Sequence, residues 1–198
     1  MFTMKNLFLR ALLALSIAIG APAALAGPIY RVSLDTSSLS GTGFLDLGFN
    51  SLEDAGPARA TVTNFSGDFL AHSAVLGDAG GSIADGVWLG NGEGANFFDQ
   101  AVVFGGLFSF DVSFDLLPTQ AGVTFAVALM NDALDAYLGA DFNLVTIDLT
   151  PGLPVDLQVF APGLADASAL AEVPEPAAWM LLAAGLFLIG MTRRLQQR

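Results

Sequence analysis

"LFSFDVSFD", residues 107–115, alternates without a fault: Phe108, Phe110, Val112 and Phe114 fall on one side, and Ser109, Asp111, Ser113 and Asp115 on the other. A period of two is what a β-strand with one buried and one wet face requires. "VTFAVAL" repeats it, with Val123, Phe125, Val127 and Leu129 facing inward. Working outward, "IYRVSLD" from Ile29, "GFLDLGF" from Gly43, "RATVTNF" from Arg59, "LVTIDLT" from Leu144 and "VDLQVF" from Val155 read as further strands, the last set off by Pro151 and Pro154. The groups "SLSGTG", "EDAGPA", "LGDAGGS" and "GNGEGAN" read as the turns between them. "MNDALDAYLGA" reads as a short helix or a polar loop. Strands about ten residues apart with glycine-rich turns predict an all-β fold, an antiparallel β-sandwich of the jelly-roll sort. A closed barrel is the main competitor. An outer-membrane barrel fits less well, because the phenylalanines sit mid-strand rather than in two girdles. No fixed repeat suggests a solenoid.

The chain has 198 residues, and its ends read differently from its body. Residues 1–26 have the three parts of a secretory signal. Lys5 and Arg10 form the basic flank, residues 11–20 are apolar or small, and Ala24-Leu25-Ala26 places small residues at both recognition positions, so cleavage would leave Gly27 first. The apolar run is short for a membrane span. The body is expected to comprise a sandwich over residues 27–160 and a linker over 161–172.

From residue 27 to 172 there are two basic side chains, Arg31 and Arg59, against 18 carboxylates, a net charge of −16 with His72 neutral. Such a surface repels phosphate backbones and excludes nucleic acid as a partner. The chain has no cysteine and one histidine. Disulfides, thiol nucleophiles, cysteine-ligated zinc and multi-histidine metal sites are therefore excluded.

Little in the body reads as catalytic, and no catalytic residue is assigned. Asp111 and Asp115 share a strand face and could be spaced as a glycosidase pair, but carboxylates alternating with serine are also how a wet sheet surface is built. His72 beside Ser66 or Ser73 lacks a G-x-S-x-G elbow. No cofactor is expected, a structural calcium ion being the one candidate. Its oxygens would come from Asn131, Asp132, Asp135 and Asp141, or from Asn91, Glu93, Asn96 and Asp99. Neither loop follows the D-x-[DN]-x-[DN]-G pattern, and Asn, Asp and Gly are equally what turns are made of. Trp88 and Tyr137 are candidate stacking platforms for sugar rings. Trp88 reads more readily as core, with Val87 and Leu89 outward or at a strand end. Asn64-Phe65-Ser66 matches a glycosylation sequon.

The C-terminal stretch "EVPEPAAWMLLAAGLFLIGMTRRLQQR", residues 172–198, has no polar face over residues 177–191, which excludes a buried amphipathic helix. Fifteen residues give a helix of about 23 Å, short of a hydrocarbon core of about 30 Å. Snorkelling arginines or a thinned bilayer would cover the difference. Pro174 and Pro176 stop a helix from running back into the body, and Arg193 and Arg194 place the C-terminus in the cytoplasm. A membrane helix is thus expected over 177–192, with the body outside.

Pro174-Glu175-Pro176, a short apolar helix and the Arg193-Arg194 cluster together resemble the PEP-CTERM sorting signal of Gram-negative bacteria, over residues 173–198. The resemblance implies export across the inner membrane, with signal peptidase and a membrane-embedded exosortase as processing partners. It also implies membrane attachment through the helix until the tail is removed, and then release to the cell surface or medium. Residues 29–49, "IYRVSLDTSSLSGTGFLDLGF", resemble the start of an ectodomain recurrent among such proteins, which carries no assigned activity. The family association is with exopolysaccharide, biofilm or floc formation. The expected function is accordingly non-enzymatic: a structural or adhesive protein of the envelope or extracellular matrix. A carbohydrate-binding module for the cell's own exopolysaccharide is the alternative, and a secreted glycan-active hydrolase a weaker one.

Overall fold

The computed structural model describes residues 28–51, 55–92 and 94–170. The signal segment with Ala24, Ala26 and Gly27, and the tail with Pro174, Glu175, Pro176, Arg193 and Arg194, lie outside the described residues, as does Glu93. Residues 27–171 form one compact unit. Twelve strands and no helix occur among the described residues.

The strands make two six-stranded antiparallel sheets, so the all-β sandwich expected from the alternation is what the chain forms. The first sheet holds β1 (Tyr30–Asp35), β3 (Arg59–Ser66), β5 (Ala79–Ser82), β6 (Gly86–Gly90), β8 (Leu107–Leu116) and β12 (Ala165–Ala169), in the order β12-β1-β8-β3-β6-β5. The second holds β2 (Thr42–Ser51), β4 (Phe69–Leu76), β7 (Phe97–Val103), β9 (Val123–Met130), β10 (Val145–Leu149) and β11 (Asp156–Val159), in the order β11-β10-β9-β2-β7-β4. Strands far apart in sequence pair in a nested series, β1 with β8, β2 with β7 and β3 with β6.

The four inward residues of β8 are all buried, as are the four of β9. They meet Leu45, Leu47 and Phe49 of β2 and Val87 and Leu89 of β6 in one core. Phe114 joins the layers, its ring 6.1 Å from Phe49 and 6.3 Å from Phe125. Aromatic pairs at such separations add to the burial of their area.

Two expectations need correction. The stretch 161–172, read as linker, contains β12, which pairs with β1 from Tyr30↔Ala169 to Leu34↔Ala165. Its sequence, "ADASA", is too short and too poor in large apolar residues to read as a strand; its backbone is recruited by the free edge of β1 rather than by its side chains. Likewise "LGDAGGS", read as a turn, contributes β5, because its glycines let the backbone pass close under a tryptophan of β6.

The outer edge of the second sheet is blunted by its own irregularity. On β4, Phe69 pairs with Val102 and the next register pair is Ser73 with Gln100, so residues 70–72 bulge opposite Ala101. The buried Gln100 amide fills the bulge, donating to the carbonyls of Leu70 at 2.6 Å and His72 at 3.1 Å. A bulged edge is a poor template for another chain.

Candidate functional site

The outward face of the first sheet carries Arg31 and Arg59. Arg31, on β1, donates from Nε and Nη2 to the two carboxylate oxygens of Asp111 at 2.8 and 2.9 Å. Asn64 adds a third bond to Asp111 at 2.8 Å. Asn64 sits where the β3–β8 register slips and has φ = 55°, a left-handed conformation that Asn tolerates better than most residues. Asp111 therefore points outward, as the alternation requires, yet is buried beneath its partners. The Arg31 bond holds its carboxyl below the usual aspartate range, against the opposing effect of burial. Asp115 accepts from the Thr61 hydroxyl. Asp111 and Asp115 are thus each engaged by a neighbouring strand.

Trp88 reverses the expected orientation. Val87 and Leu89 of β6 are fully buried, and Trp88 between them faces outward and is half-buried. Its indole lies over Gly80 of β5, where a Cβ would come within 2.9 Å of Cζ2. The Arg59 guanidinium stands 4.9 Å from the ring centroid, a cation–π distance. The β6 alternation Val-Trp-Leu is consistent with either face; burial of the two flanking aliphatics outweighs burial of one indole whose N–H would need a partner.

Tyr137 is 47 % exposed and lies in the 131–143 loop, where it bridges back to Met130. "MNDALDAYLGA" is a loop: Asn131 N–H reaches Ala136 O at 3.0 Å, and Leu138 N–H reaches Leu129 O at 2.8 Å. The calcium donors proposed there do not converge. Asn131 and Asp135 bond each other, at 2.7 Å from the amide to the carboxylate and 3.1 Å from the Asp135 N–H to Asn131 Oδ1. Asp132 accepts from Thr42 at 3.0 Å, and Asp141 stands exposed. No cluster of three or more His, Asp or Glu suited to a metal occurs among the described residues.

In the other loop the two asparagines hold backbone together. Asn91 accepts from Ala58 N–H at 2.7 Å and donates to Gly56 O at 2.8 Å. Asn96 is fully buried; its Oδ1 accepts from Asp78 N–H at 2.7 Å and its amide reaches Gly92 O at 3.0 Å. Asp99 is separated from them by its place on β7.

That place makes Asp99 part of the one feature that sequence reasoning missed. It stands directly opposite Asp46 of β2 on the outward face of the second sheet. Burial first, then the hydrogen bond and the charge of Asp99, push the Asp46 carboxyl up to about 8. Burial raises Asp99 as well. Asp99 is 8 % exposed and its Oδ1 has no hydrogen-bond donor. Two carboxyls in one low-dielectric place cannot both ionise cheaply. Each lies in an unremarkable strand pattern, "FLDLGF" and "FFDQAVV", and only the non-local β2–β7 register brings them together.

No protein-family model matches this chain, and no curated protein or solved structure matches it either.

Proposed function

We propose that this chain is an exported, non-enzymatic protein of the cell envelope or extracellular matrix, carrying a structural or adhesive sandwich linked to exopolysaccharide or biofilm. The terminal segments supply the address: a signal over residues 1–26 and a tail that resembles a PEP-CTERM sorting signal. One observation in the folded body carries the reading further. The first and last strands pair, Tyr30 opposite Ala169, and Leu170 N–H donates to Ile29 O at 2.7 Å. The points where the two address segments join the domain are therefore neighbours on one sheet edge. Such an arrangement suits a module presented from a membrane by either end. The nested pairing of β1–β8, β2–β7 and β3–β6 supports a jelly-roll description of the sandwich.

Intact-mass analysis of the protein recovered from envelope and medium tests the address. The expected species begins at Gly27 and ends between Glu172 and Pro176. A species that retains Met1 or the full arginine-bearing tail in every fraction would overturn processing by the two enzymes.

The outward Trp88 favours a second reading, a module for the cell's own exopolysaccharide. An indole packed against Gly80 is an apolar platform, and the Arg59 guanidinium over its ring offers donors to hydroxyls. Trp88→Ala is expected to weaken binding to the native polysaccharide roughly two- to tenfold, since aromatic stacking contributes about 0.5–1.5 kcal/mol. Tyr137→Ala, on a loop away from this face, reports whether that loop takes part. Absence of any binding by the unaltered protein sinks the reading.

A further inference from the structure

The opposed carboxyls on the second sheet have no arginine or lysine facing them among the described residues. On β2 their outward neighbours are Phe44 and Gly48, and on β7 they are Phe97 and Ala101. Ala128 of β9 stands opposite Asp46 with Ala126 and Met130 to either side, and Ala74 of β4 stands opposite Asp99. The titratable groups further out on these and adjoining strands are His72, whose ring meets Phe44 edge-on at 5.9 Å, and Asp148 of β10, which accepts from Thr124. Asp132, beyond the end of β9, is held by Thr42. Arg31 and Arg59, the only arginines among the described residues, are on the other sheet, and no lysine occurs there.

A buried carboxylate oxygen without a donor is costly. A proton held between Asp46 and Asp99 supplies the missing donor and removes one of two like charges across the β2–β7 ladder.

We propose that Asp46 and Asp99 form a proton-operated clasp between β2 and β7, which makes the sandwich more stable as its medium turns acidic. When the pair is protonated, one carboxyl donates to the other and the two strands are tied side chain to side chain. When the proton leaves, two carboxylates face each other in register, Asp99 buried and Asp46 half-buried, and the strands are pushed apart.

The sign follows from where the proton is held. The folded-state value of about 8 for Asp46 lies above the ordinary 3.8. The stabilisation is complete below about 4, is lost progressively as pH rises, and is gone above about 8. Asp111 acts in the opposite sense: its depressed carboxyl contributes above the ordinary range and is lost in stronger acid. Stability therefore peaks in mild acid.

Thermal unfolding of the full chain in detergent from pH 4.5 to 9, with and without calcium and chelator, reads the clasp. The midpoint is expected to fall by roughly 4 °C per pH unit up to about pH 8 and then level off, as loss of one proton in a domain of this size implies. Asp46→Asn keeps a donor toward Asp99 at every pH and is expected to flatten that slope. An equal slope in Asp46→Asn, or a level profile in the unaltered protein, overturns the proposal. So does a calcium-dependent rise in midpoint at pH 8 that Asp46→Asn abolishes, which would make the pair a cation site. Should the variant fail to fold, infrared spectroscopy of the unaltered protein decides. A protonated-carboxyl stretch persisting at pH 7 supports the clasp, and its absence removes it.

Discussion

Replacing Phe110 by alanine is expected to lower the free energy of unfolding by about 3–5 kcal/mol, the range for deleting a buried phenyl ring. Phe110 is fully buried on β8, between β1 and β3, where it stands opposite Val32 and its ring lies 5.6 Å from that of Phe65. The cost has two parts, transfer of the ring's area back to water and the cavity left in a sheet that cannot collapse without moving both neighbours. Domains hold only about 5–15 kcal/mol in all, so this variant sits near the edge of folding. Urea denaturation should show a lower midpoint at unchanged slope. Phe110→Leu should recover most of the loss, and a loss under about 1 kcal/mol for the alanine variant would mean that the core is centred elsewhere.

Asn96→Ala should cost about 2–4 kcal/mol, through hydrogen bonds rather than packing. The side chain ties the start of β5, the end of β2 and its own loop: Asp78 N–H, Phe49 O, Gly92 O and Gly94 O all reach it within 3.3 Å. Its main chain adds bonds with Asn50 Oδ1 at 2.9 Å and Phe49 N–H at 3.0 Å. Removal leaves the buried Phe49 carbonyl and three part-buried backbone groups without this partner. Asn96→Asp keeps the acceptor for Asp78 but turns a carboxylate oxygen toward the carbonyls of Phe49, Gly92 and Gly94 in a buried place, so a loss at least as large is expected. Unfolding measured with and without chelator separates this role from metal ligation. An equal loss in both supports the backbone tie, and a loss confined to chelator-free protein would restore the asparagine as a calcium donor.

The sheets were legible where the code is local. Alternation in "LFSFDVSFD" and "VTFAVAL" assigned all eight inward positions correctly, because period two is a property of a single strand. Strands whose reason lies in a neighbour were not legible. β12 exists because β1 has an open edge, and β5 because Gly80 admits the Trp88 ring. The site followed the same division. Tyr137 stands exposed on a loop, as the polarity of that loop implies. Trp88 was turned the wrong way, since a Val-Trp-Leu triplet does not say which of its faces is the core. Asp46 and Asp99 lie 53 positions apart, and their meeting is a consequence of register, which no single segment encodes.

The β1–β12 pair also decides how the domain would bear a mechanical load. Its two ends leave from adjacent positions, Tyr30 beside Ala169. Tension applied between the two ends opens this ladder like a zipper, one hydrogen bond at a time. Tension between the C-terminal end and the opposite pole of the sandwich runs along β12 instead and loads all of its bonds together. A domain gripped at its C-terminal end and its far pole is therefore pulled in its strong direction, and one pulled by its two ends in its weak one.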